Sequence, residues 1–311
     1  MTLATTAHTV ADLAAGTGPD QSDILDEYSK REIRRTVLSA VAVPGYQVPL
    51  GSREMPVARG WGSGGLQVTL GVVGADDTVK VIDQGDDAGV NATNLRRLLE
   101  GATGVDVTTD SREATVIQSR HRIPEDPLTD GQVLVLQVPV PEPLRGVERD
   151  SRELRRVHAE ADYARMWVSL YEDKVRNGVI TQTTGYPCLV DGRYVIATTP
   201  IPRWDIPKLH RAEALTLFGA GREKRIYAVP PHTDVEPLTF EDVAFEVEEA
   251  HGAACARCGS GATYLVEVPA APGGAGRWVC SDSDRCDRNR QADAEVTDAG
   301  DTDAEGGGGS R

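Results

Sequence analysis

Four of the five cysteines fall within 32 residues near the C-terminus: Cys255, Cys258, Cys280 and Cys286, spaced C-x2-C, 21 residues, C-x5-C. Whatever surrounds them, these thiols tie one stretch of chain into a single unit, because soft thiolates at such spacing converge on a metal or a redox centre. A disulfide scaffold does not suit a chain of 311 residues with so few cysteines, and the clustering predicts a reducing compartment. A structural zinc ribbon ends in a second C-x2-C pair, since two tight pairs wrap a tetrahedral ion. Here the last spacing is longer, and spacing leaves two readings open. In the closed one, all four thiolates hold Zn²⁺. In the open one, Cys255, Cys258 and Cys280 ligate a [4Fe–4S] cluster with one iron free for an external ligand, and Cys286 remains a reactive thiol.

The net charge of -15 argues against nucleic acid or an anionic membrane surface as partner. The acidity is concentrated. Residues 232–250 hold seven acids and no Lys or Arg, and residues 291–311 hold six acids against one Arg. Those two segments account for twelve of the fifteen net charges, so the body is close to neutral. No run reaches the ~20 apolar residues of a membrane span, and no basic region precedes an apolar stretch at the N-terminus. A cytoplasmic protein is expected.

Periodicity predicts a helix over about Asp23–Val43, ended by Pro44, and then a long loop rich in Gly and Pro. Strands are expected at Leu66–Val73, Lys80–Ile82, Thr115–Ile117 and Gln132–Val138, with a helix near Thr93–Glu100 between them. Apolar residues from Leu154 to Val175 step by three and four, predicting one long helix from an Asp150 cap to Gly178. A hairpin turns at Asp191-Gly192 between 188–190 and 194–196, and a further helix is expected near Ala212–Phe218. The whole reads as an α+β fold with a mixed sheet core. The expected divisions are a mobile N-terminus (1–22), a catalytic core (23–138 and 213–250), a central helical and hairpin insertion (139–212), a small four-cysteine metal unit (251–290) and an acidic disordered tail (291–311).

Three weaker signals remain. Gly60, Gly62 and Gly65 match G-x-G-x-x-G, but a proline-containing loop precedes them and a strand-like run follows, the reverse of a dinucleotide site. His121 lies between Arg120 and Arg122, and Arg222, Lys224 and Arg225 follow Gly219-Ala220-Gly221. Clustered cations beside small residues suit an anion such as phosphate, and a solvated surface would look similar.

Several segments, in order, resemble the PhnJ subunit family of carbon–phosphorus lyase: IRRTVLSAVAVPGYQVPLGSREMP, WGSGGLQVTL, VIDQG, IQSRHRIPE, QVPVPEPLRG, LFGAGREKRIYAVPP and CARCGS…VCSDSDRC. The resemblance spans roughly Asp23 to Cys286. It implies a radical S-adenosyl-L-methionine (SAM) enzyme that cleaves α-D-ribose 1-methylphosphonate 5-phosphate to methane and ribose 1,2-cyclic phosphate 5-phosphate. By the same resemblance Cys255, Cys258 and Cys280 are cluster ligands, Gly45 the glycyl-radical position and Cys286 the thiyl-radical cysteine. Arg120, His121, Arg222, Lys224 and Arg225 are the candidates for holding the anionic substrate. The same four thiolates also offer zinc an adventitious site in aerobic preparations, with Cys286 as the fourth ligand. The resemblance also implies a core complex with PhnG, PhnH and PhnI and an ATP-binding-cassette subunit, docked through the insertion. The competing reading is a zinc-stabilised scaffold subunit without chemistry of its own.

Overall fold

The computed structural model describes residues 24–50, 63–139, 141–178, 181, 187–198, 201–220, 224–238, 252–270 and 274–302. Its centre is a seven-stranded mixed sheet in the order β1-β9-β8-β5-β4-β2-β3. The strands are β1 (Val48–Pro49), β2 (Thr78–Ile82), β3 (Asp106–Thr108), β4 (Val116–Ser119), β5 (Val133–Val138), β8 (Leu215–Ala220) and β9 (Arg225–Val229). β3, β2, β4, β5 and β8 run parallel, and β9 returns antiparallel along β8.

Both faces of the sheet are covered, so its central strands bury apolar residues on both faces rather than alternating with solvent-facing ones, and the few polar groups among them, such as Lys80 and Gln118, are buried too. Val133 and Val135 of β5 face one cluster with Val79, Val81 and Leu217. That face is closed by α1 (Glu27–Ala42), α2 (Ser63–Val72) and α3 (Val90–Thr103). Leu134, Leu136 and Phe218 face the other way, onto Cys188, Val190 and Ile196 of the hairpin β6 (Pro187–Val190) and β7 (Tyr194–Ala197). Between β5 and β8 the chain also makes α4 (Ser151–Glu160) and α5 (Ala164–Asn177), and β10 (Val235–Pro237) later joins the hairpin. β11 (Leu265–Val268), β12 (Arg277–Cys280) and α6 (Ser283–Thr302) carry the cysteines.

The hairpin and the helices at 27–42 and 90–103 agree with the sequence reading. α1 is capped by Asp26, whose carboxylate accepts from the Ser29 N–H, so the helix begins after the expected start at Asp23, a residue outside the described ones. Four readings differ. The run expected as a strand at 66–73 belongs to α2, a helix apolar on nearly all sides because it is buried between α1 and the sheet. The helix expected near 212–218 is strand β8, buried on both faces, where a short apolar run gives no usable period. The long helix breaks at Ala161, in the left-handed region at φ 53°. The break turns the second half, so that Met166 and Leu170 are buried while Val168, Tyr171 and Val175 face outward. The acidic tail expected to be disordered from 291 begins as helix, since α6 continues to Thr302.

The glycine pattern has a packing explanation. A Cβ on Gly219 of β8 would lie 2.6 Å from the backbone of Gly64, and one on Gly65 would lie 2.6 Å from the Gln137 side chain. The glycines let the start of α2 approach the sheet closely; Gly60 and Gly62 lie outside the described residues. Gly219→Ala is expected to destabilise the fold by about 1–3 kcal/mol, the usual effect of overpacking. Urea unfolding checks this, and an unchanged midpoint would contradict the contact.

Candidate functional site

The unit begins with a tight turn in which the Gly259 N–H donates to the Cys255 carbonyl (2.8 Å), with Gly259 at φ +72°. This turn brings Cys258 back beside Cys255. Cys280 ends β12, and Cys286 sits in the first turn of α6, its N–H donating to the Asp282 carbonyl (3.1 Å). All four Sγ atoms lie within 4.8 Å of one another and all four residues are buried. Sγ of Cys255 is 3.6 Å from that of Cys286, and Sγ of Cys258 is 3.5 Å from that of Cys280.

With metal–sulfur bonds of about 2.3 Å, a tetrahedron of four thiolates has edges of about 3.8 Å. The observed set fits a single ion held by all four sulfurs. A cubane cluster is matched in kind, because thiolates are its usual ligands. In spacing it is not: a separate iron sits under each ligand sulfur, so those sulfurs stand further apart than four sharing one ion. Cys286 is inside the set here and is not a free thiol beside it.

The protonation of the set also calls for a cation. Burial opposes the Cys255 thiolate, but the backbone N–H groups of Cys258, Arg257 and Cys280 outweigh it and bring that thiol down to about 6. Burial and thiol hydrogen bonds push Cys286 up to about 12 and raise Cys280 as well. One thiolate is thus favoured at the expense of its neighbours, and four together require a metal to neutralise them.

The unit docks over the carboxyl ends of β2, β3 and β4, where open parallel sheets place their ligand crevice. Arg122, just after β4, is buried between two rings, its guanidinium carbon 3.7 Å from the Trp204 centroid and 3.6 Å from that of Tyr264. Tyr264 belongs to the cysteine unit, so this stack joins it to the sheet. Arg288 of α6 pairs with Asp126 at 2.6 Å.

The candidate substrate residues share this edge. Arg120 follows β4 and pairs with buried Asp83 at 2.7 Å. His121 is held at φ 77°, and burial, then the neighbouring Arg120, lowers its pKa, leaving the ring neutral near pH 7. Lys224 and Arg225 stand at the turn between β8 and β9, two strands away, about 10 Å at the usual strand spacing. Arg222 lies outside the described residues.

Gly45 is elsewhere. It is buried at φ +74°, its N–H donates to the Ala228 carbonyl of β9 (3.2 Å), and a Cβ there would meet the Cβ of Tyr194 at 3.0 Å. Tyr194 in turn stacks on His158 at 3.8 Å, and His158 Nε2 pairs with Glu142 at 2.8 Å. The structure therefore gathers the four cysteines together and Arg120 with His121, but it does not bring Gly45 to Cys286. Gly45 contacts β9, the turn carrying Cys286 is tied to β2 through Lys80 and Asp87, and four strand spacings, roughly 20 Å, separate those two strands. Sequence reasoning missed the Tyr194–His158–Glu142 group and the Arg122 stack. Only the Arg-rich SRHR run pointed toward the latter.

A family model described as phosphonate metabolism protein PhnJ matches residues 21–292. The α-D-ribose 1-methylphosphonate 5-phosphate C-P-lyase of Rhizobium meliloti (strain 1021) is 54% identical over 266 residues, covering 86% of this chain and 89% of that protein. The α-D-ribose 1-methylphosphonate 5-phosphate C-P lyase of Escherichia coli (strain K12) is 53% identical over 268 residues, 86% of this chain and 95% of that protein. No helix among the described residues is long and apolar enough to cross a membrane.

Four converging sulfurs predict one cobalt(II) ion per chain, with intense thiolate-to-metal absorption, when the metal-free protein is titrated. Cys258→Ser should weaken binding by about tenfold or more. Cobalt bound without thiolate bands would contradict the set.

Proposed function

The chain belongs to the PhnJ family of phosphonate metabolism proteins, and on that premise we propose that it cleaves the carbon–phosphorus bond of α-D-ribose 1-methylphosphonate 5-phosphate. Methane and ribose 1,2-cyclic phosphate 5-phosphate are the proposed products. The observation that carries this is identity above one half with two lyases named for that compound, across 86% of the chain, together with a convergent four-thiolate unit at the carboxyl edge of the sheet.

The bond sets the chemistry. Polar cleavage would expel a methyl carbanion, which no side chain stabilises usefully, whereas homolysis avoids that charge. A [4Fe–4S] cluster on Cys255, Cys258 and Cys280, with SAM, would supply the one-electron chemistry. This reading asks Cys286 to leave the closed set. Freed, its S–H would pass a hydrogen atom to a Gly45 α-carbon radical, and the resulting thiyl sulfur is soft enough to add to phosphorus, forming the S–P bond as the C–P bond breaks. The departing methyl radical would take a hydrogen atom back from the Gly45 α-carbon to give methane, and the ribose 2-hydroxyl then displaces the sulfur and closes the cyclic phosphate.

Arg120 and His121 at one strand end, and Lys224 and Arg225 at another, would hold the two phosphorus groups of the sugar. Their separation of about 10 Å suits a ligand anionic at both ends. In the radical reading Gly45 is the hydrogen donor that starts the sequence. Its distance from the cysteines means that a transfer to Cys286 needs a rearrangement or further subunits. Assembly with PhnG, PhnH, PhnI and an ATP-binding-cassette subunit, inside the cytoplasm, is part of the proposal. The exposed row Val168, Tyr171 and Val175 on α5 supports docking through the insertion.

The zinc-stabilised scaffold is the second reading, favoured by the closed spacing of the four sulfurs. Anaerobic reconstitution with iron, sulfide, SAM and reductant separates the two. The lyase reading predicts 5′-deoxyadenosine and methane from wild type, and a Cys286→Ala variant that keeps its iron–sulfur absorbance but releases no methane. Loss of the absorbance would make Cys286 a ligand and favour the closed site. Gly45→Ala is a poor test, because φ +74° and the Tyr194 contact give glycine a steric reason to be there. Protein grown on α-deuterated glycine should pass deuterium into 5′-deoxyadenosine, and none passed would remove Gly45 from the chemistry.

A further inference from the structure

Lys80 is a fully buried cation on β2 that nothing in the proposed chemistry uses. Its ammonium has three donors, and three acceptors surround it. The Thr109 carbonyl lies at 2.6 Å, Asp87 Oδ2 at 3.1 Å and Asp282 Oδ1 at 3.2 Å. These come from the end of β3, the loop after β2, and the turn between Cys280 and Cys286. The carboxylates are further engaged. Asp87 accepts from the backbone N–H (3.0 Å) and the hydroxyl (3.1 Å) of Ser283, and the Asp87 N–H donates to the Ser281 carbonyl (3.1 Å). Asp282 accepts from the Ser111 hydroxyl at 3.3 Å and from the Arg285 N–H at 3.1 Å.

Every bond in this group ends on residues 281–285 or on the sheet edge beneath them. None ends on the C-x2-C turn. The network therefore fixes one half of the cysteine unit, the turn that opens α6 and carries Cys286. The C-x2-C half is held by other contacts, its own turn, the Ala256 N–H donating to the Trp278 carbonyl (2.8 Å) and Arg257 pairing with Asp287 (2.8 Å). We propose that Lys80 is a positioning residue: through Asp87 and Asp282 it sets where Cys286 stands over the sheet edge that presents Arg120 and His121. The proposal rests on reading the four cysteines as the reaction's metal centre.

The test uses the full chain with Lys80→Met. Cobalt(II) should still bind once per chain with unchanged thiolate bands, since no ligand is altered. Amide exchange should rise by about tenfold or more at 281–286 but not at 255–260, in the metal-free and the cobalt-loaded chain alike. In the assembled enzyme, kcat should fall with KM unchanged, because the candidate substrate residues lie on other strand ends. A role in general stability alone would raise exchange throughout and leave kcat in place. Unchanged exchange at 281–286, or loss of the cobalt bands, would overturn the proposal. Where Lys80→Met leaves the two buried carboxylates too poorly compensated to fold, Lys80→Met with Asp87→Asn removes a charge of each sign, and the same readings apply. The exchange measurement on metal-free protein needs no activity, so a failure of the metal-centre reading shows separately, as wild-type protein that takes up no cobalt.

Discussion

One buried ammonium ties the cysteine unit to the sheet. An unpaired charge inside a protein is strongly unfavourable, and a buried ion pair persists only when its remaining donors and acceptors are met. Lys80 meets that condition because strand, loop and cysteine unit each contribute an acceptor. The four-cysteine unit is small, with a two-stranded hairpin as its only sheet among the described residues, and a lone hairpin has little stability of its own. Its position is inherited from the larger sheet through this network and through Arg122, held between a ring of the unit and Trp204. The carboxyl edge of the parallel strands thus presents thiolates from one segment and cations from two others.

The sheet also separates what the family resemblance joins. Gly45 is confined at β9 by backbone geometry and by Tyr194, whose ring is backed by His158 and Glu142. The cysteines stand at β2. A radical passing between them would cross most of the sheet's width, so the chemistry proposed for the pair belongs to an assembled or rearranged state. The closed thiolate set points the same way. Cys286 stands inside the four-sulfur set in this geometry, and the reactive role proposed for it would begin with its release.

Much of this was legible in the sequence where a pattern maps onto a single local rule. C-x2-C implies a tight turn, Asp-Gly between two short apolar runs implies a hairpin, and Gly178 ends α5 as expected. The failures occur where tertiary burial overrides period. Residues 66–72 are apolar at alternate positions, the pattern of a strand, and only the neighbouring layers decide that they form a helix. The strand at 215–220 is ambiguous for the same reason. The break at Ala161 carries no glycine or proline to announce it. At the site, the cysteines and the Arg120-His121 pair were visible because their residue types are chemically distinctive. Lys80, Asp87 and Asp282 were not, since 202 residues separate the first from the last and each looks alone like an ordinary surface charge.

The central claim is that Cys286 takes the phosphorus from carbon. A substrate analogue lacking the ribose 2-hydroxyl tests it most directly, because the group that displaces the sulfur is then missing. Methane should be released once, and mass spectrometry of the digested protein should find the sugar phosphate attached through phosphorus to the peptide bearing Cys286. Methane release with that peptide unmodified, or with the adduct on another residue, would contradict the account.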